Sequence, residues 1–325
     1  MAEAFIWPAI GNEKVIEFLE RGLQNNKIAQ TYIFSGLDDL GKSTIALAFA
    51  RRLQNNEEGN SSDLHILEPE EDSKNISIAA TREFIKMLSL SSFLNSYKIG
   101  IIKEADRLSE EAKSALLKTL EEPRDKVIII LLVSEADKLP ATILSRAQIL
   151  YFYPVPAAAT YDYLIANYQV NRSLAKDLAN LSLGRPLTAL KFLEHPEEYK
   201  AYLERAEKWL SLVSLDINGR LKVLDEIFND RSWSQQARDT VGTIIFLAEG
   251  LARDSLLLSL GAPDRLQHST LLPALEKTLA LLAKKDGEGG GPSALEQLKI
   301  CAQAKEYLDA NVNPRLVLEQ MVINW

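Results

Sequence analysis

The string Gly36-Leu37-Asp38-Asp39-Leu40-Gly41-Lys42-Ser43 carries the sharpest chemistry in this chain. It matches the spacing G-x-x-x-x-G-K-[ST] and lies between a short apolar strand, Thr31 to Phe34, and a segment of helical character, Thr44 to Leu53. In that setting, backbone N–H groups and a helix N-terminus converge on phosphate oxygens. Lys42 adds a point charge, and the Ser43 hydroxyl is placed to ligate magnesium. Gly36, Gly41, Lys42, Ser43 and Thr44 are therefore the candidate nucleotide-binding residues. An ordinary strand-to-helix turn is the competing reading, and the flanking elements weigh against it.

A second constellation runs from Tyr97 to Arg146. Ile99 to Ile102 is short and continuously apolar, as a parallel strand covered on both faces must be, and it stops at Lys103-Glu104. A helix follows. Ser109 is placed to cap it, Glu110 and Glu111 sit in its positive first turn, and Ala112, Ala115, Leu116 and Thr119 repeat at helical spacing up to Pro123. A second buried strand, Val127 to Val133, leads through Leu139-Pro140 to an exposed Ser145-Arg146 pair and a third strand, Ile149 to Tyr153. This is the middle of a doubly wound parallel sheet, an α/β fold.

The elements around these stretches read more plainly. Val15, Ile16, Leu19 and Leu23 give an opening helix its apolar face, and another helix spans Thr81 to Leu90. Asn55 to Asp63 reads as a loop, Glu68 to Asp72 as a solvated acidic run, and His65, His195 and His268 are scattered without partners at ligand spacing. After Pro154-Val155-Pro156 the chain turns helical: Leu174 to Leu183, Leu187 to Leu193 and Tyr199 to Leu212 alternate with short breaks such as Gly184-Arg185-Pro186. Further amphipathic helices carry Leu221, Leu224 and Phe228; Ile244, Leu247, Ala248 and Leu251; and Leu275, Thr278, Leu279 and Leu282. Asp286 to Pro292 is expected to be a flexible connection, and Trp209, Trp233 and Trp325 to be core or interface aromatics. Nothing in this half has catalytic spacing.

At 325 residues, two or three domains are expected. A hydrophobic fraction of 46% and a charged fraction of 25% fit a soluble globular protein. No apolar run is long enough to span a bilayer and the first residues lack a basic leader, so a cytoplasmic location is expected, with no membrane partner. Cys301 is the single cysteine, which excludes an intramolecular disulfide and a thiolate zinc cluster. A net charge of -8 argues against a chain that grips nucleic acid over most of its surface, though a local basic patch inside a larger assembly stays open.

With both constellations in view, the chain resembles the clamp-loader branch of the AAA+ ATPases. YKIGIIKEADRLSEEAKSALLKTLEEP is similar to that branch's second nucleotide motif and following helix, and LPATILSRAQ to its Ser-Arg-Cys motif. IGNEKVIEFLERGL and AQTYIFSG resemble the family opening. The resemblance implies an AAA+ domain over residues 1–154, a small helical lid over 155–205 and an all-helical collar for oligomerisation over 206–325. It also implies partners: gamma/tau- and delta-type subunits in a hetero-pentamer, a sliding clamp, and primer-template DNA met through the assembly.

Against the family pattern, Lys103 stands where hydrolysing members have a magnesium-holding aspartate, replacing attraction with repulsion. Glu104 matches the acid that polarises the attacking water, but without a positioned metal it has little charge stabilisation to work with. Asp39 replaces a third glycine, and Leu187 falls where a sensing arginine would be. ATP or ADP with magnesium is therefore expected to bind weakly or not at all, and no zinc module is expected. Arg146, by resemblance, reaches across a subunit boundary to a neighbour's terminal phosphate, work suited to a planar and permanently charged side chain; Ala147 replaces the motif's cysteine. The expected role is a replication subunit that hydrolyses little itself and lends Arg146 to its neighbour. Two alternatives stay open: a hydrolysing ATPase using Lys42, Ser43 and Glu104, and a nucleotide-independent interaction protein with a relic loop.

Overall fold

The apolar runs cannot be solvated along their length, and together they form one sheet with helices on both faces. The computed structural model describes residues 7, 9–54, 62–70, 73, 75–90, 97–122, 124–230, 232–285 and 293–325. Pro123, most of the 55–63 loop, the last two residues of the 68–72 acidic run and the Asp286 to Pro292 connection lie outside them. The chain divides into two compact units: Met1–Tyr163 with Gly184–Thr188, and Leu164–Leu183 with Ala189–Trp325.

In the first unit the helices α1 (Glu13–Gln24), α2 (Lys42–Gln54), α3 (Ile78–Ser89), α4 (Glu110–Glu121) and the short α5 (Ala141–Leu144) alternate with strands. The strands are β1 (Thr31–Ser35), β2 (Leu64–Leu67), β3 (Lys98–Ile102), β4 (Val127–Val133) and β5 (Gln148–Tyr151). Their order is β2-β3-β4-β1-β5 and every pairing is parallel. Side chains alternate across the sheet. Tyr32, Phe34, Ile99, Ile101, Ile128 and Ile130 pack on one face with Leu19 of α1 and Ile45 and Phe49 of α2. Ile33, Ile129, Leu131 and Val133 pack on the other with Phe84 and Leu88 of α3 and Leu116 of α4. Ser109 caps α4 as its sequence predicts, accepting from the Ala112 amide at 3.1 Å, and Ser77 caps α3 in the same way.

Among the differences from expectation, three bear on the first unit's sheet and loop. β2 was not legible as a strand: it lies at the sheet edge and only Leu67 is buried, so it lacks an apolar run. The last strand ends at Tyr151 rather than Tyr153, because the Tyr153 amide turns to the Asn12 side chain at 2.9 Å. The helix after the glycine-rich string starts at Lys42, two residues before Thr44.

The second unit is built from helices, with α6 (Ala157–Tyr168) and α8 (Pro186–Glu194) each shared in sequence with the first. Its other helices are α7 (Arg172–Leu181), α9 (Pro196–Ser211), α10 (Ile217–Ile227), α11 (Gln235–Ser259), α12 (Leu272–Lys285), α13 (Ala294–Asp309) and α14 (Pro314–Ile323). Val241, Ile244 and Leu251 of α11 join Trp209, Leu275, Cys301 and Leu318 in one core. Trp209 and Trp325 meet edge to face at 5.3 Å, whereas Trp233 is 64% exposed and is no part of that core. Arg315 enters the unit's interior and is neutralised there by Asp225 at 2.5 Å and Glu319 at 2.8 Å, with the Phe228 carbonyl accepting a further bond. His268 does have partners, which sequence spacing hid: its Nδ1 lies 2.8 Å from Asp254 and its Nε2 2.8 Å from the Tyr202 hydroxyl, all within the unit. Among the described residues no helix is long and apolar enough to cross a membrane.

Two measurements test this packing. A Cβ on Gly100 would lie 2.5 Å from Phe84 and 2.8 Å from Leu88, so Gly100→Ala should cost about 1–3 kcal/mol by overpacking and lower the urea midpoint. Burial pushes the Cys301 thiol up to about 12. A thiolate-directed reagent should therefore leave the native chain unlabelled at neutral pH and take up one equivalent in denaturant.

Candidate functional site

All five strands point the same way, so their carboxyl ends share one edge, and a cavity of about 390 Å³ opens there. It is lined by Asp38, Asp39, Gly41, Lys42 and Ser43 after β1, by Lys103, Glu104 and Asp106 after β3, by the Leu132-Val133-Ser134 end of β4, and by Leu187. Of the candidate nucleotide-binding residues, Gly41, Lys42 and Ser43 line the cavity directly; Gly36 shapes the loop from beneath and Thr44 lies in α2 behind it. The Gly36 amide donates to the Val133 carbonyl at 3.2 Å, and a Cβ there would come within 2.5 Å of the Phe152 carbonyl oxygen, so only glycine lets the loop leave the sheet at this point.

Lys42 opens α2 and is only 8% exposed. Its ammonium donates to the Leu37 carbonyl at 2.8 Å and to the Gly36 carbonyl, and lies 3.4 Å from Asp38. The cation thus cross-links its own loop. Burial lowers its pKa from the ordinary 10.5, and Asp38 opposes that shift.

Parallel pairing of β2 with β3 sets Leu67 beside Ile102, and the next residues, Glu68 and Lys103, form a 2.7 Å ion pair. The acidic run therefore supplies a counter-ion as well as a surface. Glu104 is in the left-handed region, φ 48°, and its carboxylate takes a 2.8 Å bond from Arg107. Sequence reasoning missed Asp106 and Ser134: the Ser134 hydroxyl donates to Asp106 at 3.0 Å and accepts from Lys138 at 2.9 Å. The position of Ser134, directly after a buried parallel strand, was the available signal. Asp39, φ 61°, accepts the Leu187 amide on its carbonyl at 3.1 Å and the Thr188 hydroxyl on its carboxylate at 2.9 Å.

Arg146 does not line this cavity. It follows α5 on the surface, with one guanidinium nitrogen 2.9 Å from Glu121 at the end of α4 and another donating to the Thr142 carbonyl at 2.8 Å. Ala147 beside it turns toward the sheet and packs on its apolar layer. The structure thus separates two kinds of cation: a buried lysine inside the loop and a half-exposed arginine outside it.

Residues 11–156 match the family model described as DNA polymerase III, delta subunit. The delta' subunit of Bacillus subtilis DNA polymerase III is 26% identical over 95% of this chain and 94% of its own length. Over these residues the chain is similar to the delta and delta' subunits of DNA polymerase III. The delta' subunit of Haemophilus influenzae is 32% identical over 46% of this chain and 43% of its length, and the tau/gamma subunit from the same organism is 33% identical over 42% and 22%. The chain thus spans nearly the whole of the Bacillus relative and a smaller part of the others. A gamma subunit-related protein from Thermotoga maritima aligns with a TM-score of 0.54 at 18% identity, covering 94% of this chain and 97% of that one, which shows the shared fold.

This fold family implies a nucleotide with magnesium. The loop amides and Lys42 suit a phosphate, but the donor set suits the ion poorly: Ser43 offers one hydroxyl, the β3 end opens with the Lys103 ammonium, and the carboxylates of Asp38, Asp39, Glu104 and Asp106 are already engaged by Lys42, Thr188, Arg107 and Lys138. Because Lys42 has a depressed pKa in the folded state, the unfolded chain binds more protons in the alkaline interval below pH 10.5. Stability contributed through this group therefore rises with pH across that interval. Lys42→Met should flatten that part of the curve of unfolding free energy against pH, measured by urea titration.

Proposed function

We propose that this chain is the delta'-type member of a DNA polymerase III clamp loader. It works in the cytoplasm beside gamma/tau- and delta-type subunits while a sliding clamp is placed on primed DNA. On this reading its sheet and loop are a scaffold, its helical lid and collar hold it in a ring of five, and Arg146 completes the ATP site of the next subunit. The arrangement of the cations carries the proposal. Lys42 is tied into its own loop and Lys103 is neutralised by Glu68, while Arg146 lies outside the cavity on the surface.

A guanidinium fits this task because it stays charged and presents parallel N–H donors to phosphate oxygens. Its pairing with Glu121 is half-exposed and so worth at most about 1 kcal/mol, which a neighbour's phosphate can readily outcompete. Nucleotide in the chain's own cavity is weak or absent on this reading. Glu104, engaged with Arg107 and beside a donor set that suits magnesium poorly, is no effective base on this reading.

In a loader reconstituted with its partner subunits, Arg146→Ala should slow hydrolysis at the one interface it serves by about a thousandfold or more, visible as a drop in total phosphate release with assembly intact. Arg146→Lys should not restore it, because an ammonium lacks the planar fork. Undiminished turnover in the Arg146→Ala loader would remove the trans role. Brisk magnesium-dependent turnover by the isolated chain, lost in Lys42→Ala, would favour an independent ATPase instead.

A further inference from the structure

The cavity is bordered by four carboxylates, from Asp38, Asp39, Glu104 and Asp106, against two lysines, Lys42 and Lys103. Three of these acids have a cationic partner: Asp38 lies 3.4 Å from Lys42, Glu104 is bonded to Arg107, and Asp106 is 3.9 Å from Lys138. The bonds of Asp39 are of another kind. Its backbone is left-handed, a conformation in which a side chain other than Asn or Asp is strained, so this residue holds a place that glycine fills most easily. Its carbonyl and carboxylate fasten Leu187 and Thr188 to the loop.

The fastened segment is itself anchored at its other end. Gly184 accepts from the Val155 amide at 2.9 Å and, at φ 78°, packs so closely that a Cβ would lie 2.8 Å from Pro154. The segment 184–188 is thus tied at both ends within the first unit, and the Leu187 side chain is brought to the cavity wall.

We propose that Asp39 is the residue that excludes nucleotide polyphosphate from this cavity, by holding the 184–188 segment against the loop and by placing an anion where phosphate oxygens would enter. The inference rests on reading the loop as a nucleotide site and deepens it: weak binding follows from one residue acting through charge and through a latch. Phosphate would be met by the loop amides and the helix N-terminus rather than through a metal, so binding released by removing Asp39 is expected with metal-free nucleotide as well as with magnesium present.

Calorimetric titration of the purified full-length chain with ATP and with ADP, in EDTA and in magnesium chloride, tests this. Asp39→Gly removes the charge and the Thr188 tie together, leaves the backbone carbonyl on the Leu187 amide, and suits the backbone. It should tighten nucleotide binding by about tenfold or more relative to the parent chain, the scale expected of one close carboxylate. Asp39→Asn keeps an acceptor for Thr188 and tolerates the backbone while removing the charge; Thr188→Val keeps the charge and breaks the side-chain tie. Each should give part of the gain. Parent-like affinity in a folded Asp39→Gly chain, judged by circular dichroism and melting, overturns the proposal, and so does a parent chain that already binds as tightly as the variant. If Asp39→Gly does not fold, Asp39→Asn decides: a gain supports the proposal and none overturns it. Failure of the Arg146 role would appear only in the reconstituted loader and leaves this titration unaffected.

Discussion

A parallel sheet buried on both faces leaves one edge for polar groups at the strand ends, and the rest of the first unit follows from that constraint. The β3 and β4 strands are apolar almost throughout, so the first charged or hydroxyl residue after each strand falls at the carboxyl edge. Lys103 follows β3, Ser134 follows β4, and the loop from Gly36 follows β1. Register then decides which of these groups meet. Glu68 neutralises Lys103 because β2 pairs with β3 one residue earlier, and Asp106 meets Ser134 because β3 and β4 are neighbours.

The outcome is a phosphate-type loop whose own side chains satisfy it. Lys42 would be a costly buried charge without partners, and the Gly36 and Leu37 carbonyls provide them. Such a lysine stabilises the loop's shape more than it advertises a charge. Arg146 contrasts with it in both chemistry and place. Its fork is held by Glu121 and Thr142, and its surface position leaves it available to another molecule. The helical unit makes a similar point about buried charge. Arg315 is tolerated because two carboxylates and a carbonyl surround it, and removal of both carboxylates would leave an uncompensated cation.

Much of this was legible from residue order alone. The buried strands announced themselves as β-branched runs, Ser109 as a cap, and the glycine-lysine string as a phosphate loop, since each depends on neighbours within a few positions. Where the signal was weak, the physics explains why. β2 escaped notice because an edge strand with a half-exposed face need not be apolar, and the partners of His268 lie 14 and 66 residues away along the chain. Trp233 narrows its expectation: of the two places offered to it, core or interface, its 64% exposure leaves the core to Trp209 and Trp325, because burial depends on whether another element covers the ring.

The sequence by itself determined most of the strand and helix inventory of the first unit, the loop chemistry and the family resemblance, because local propensity, periodicity and motif spacing are properties of consecutive residues. Only the tertiary structure decided that Lys103 is paired, that Glu104 is turned to Arg107, that Asp39 ties down Leu187 and Thr188, and that Arg146 lies outside the cavity. Those facts are set by strand register and by the return of distant segments to the carboxyl edge, and charges respond to what is near in space rather than to what is near in the chain.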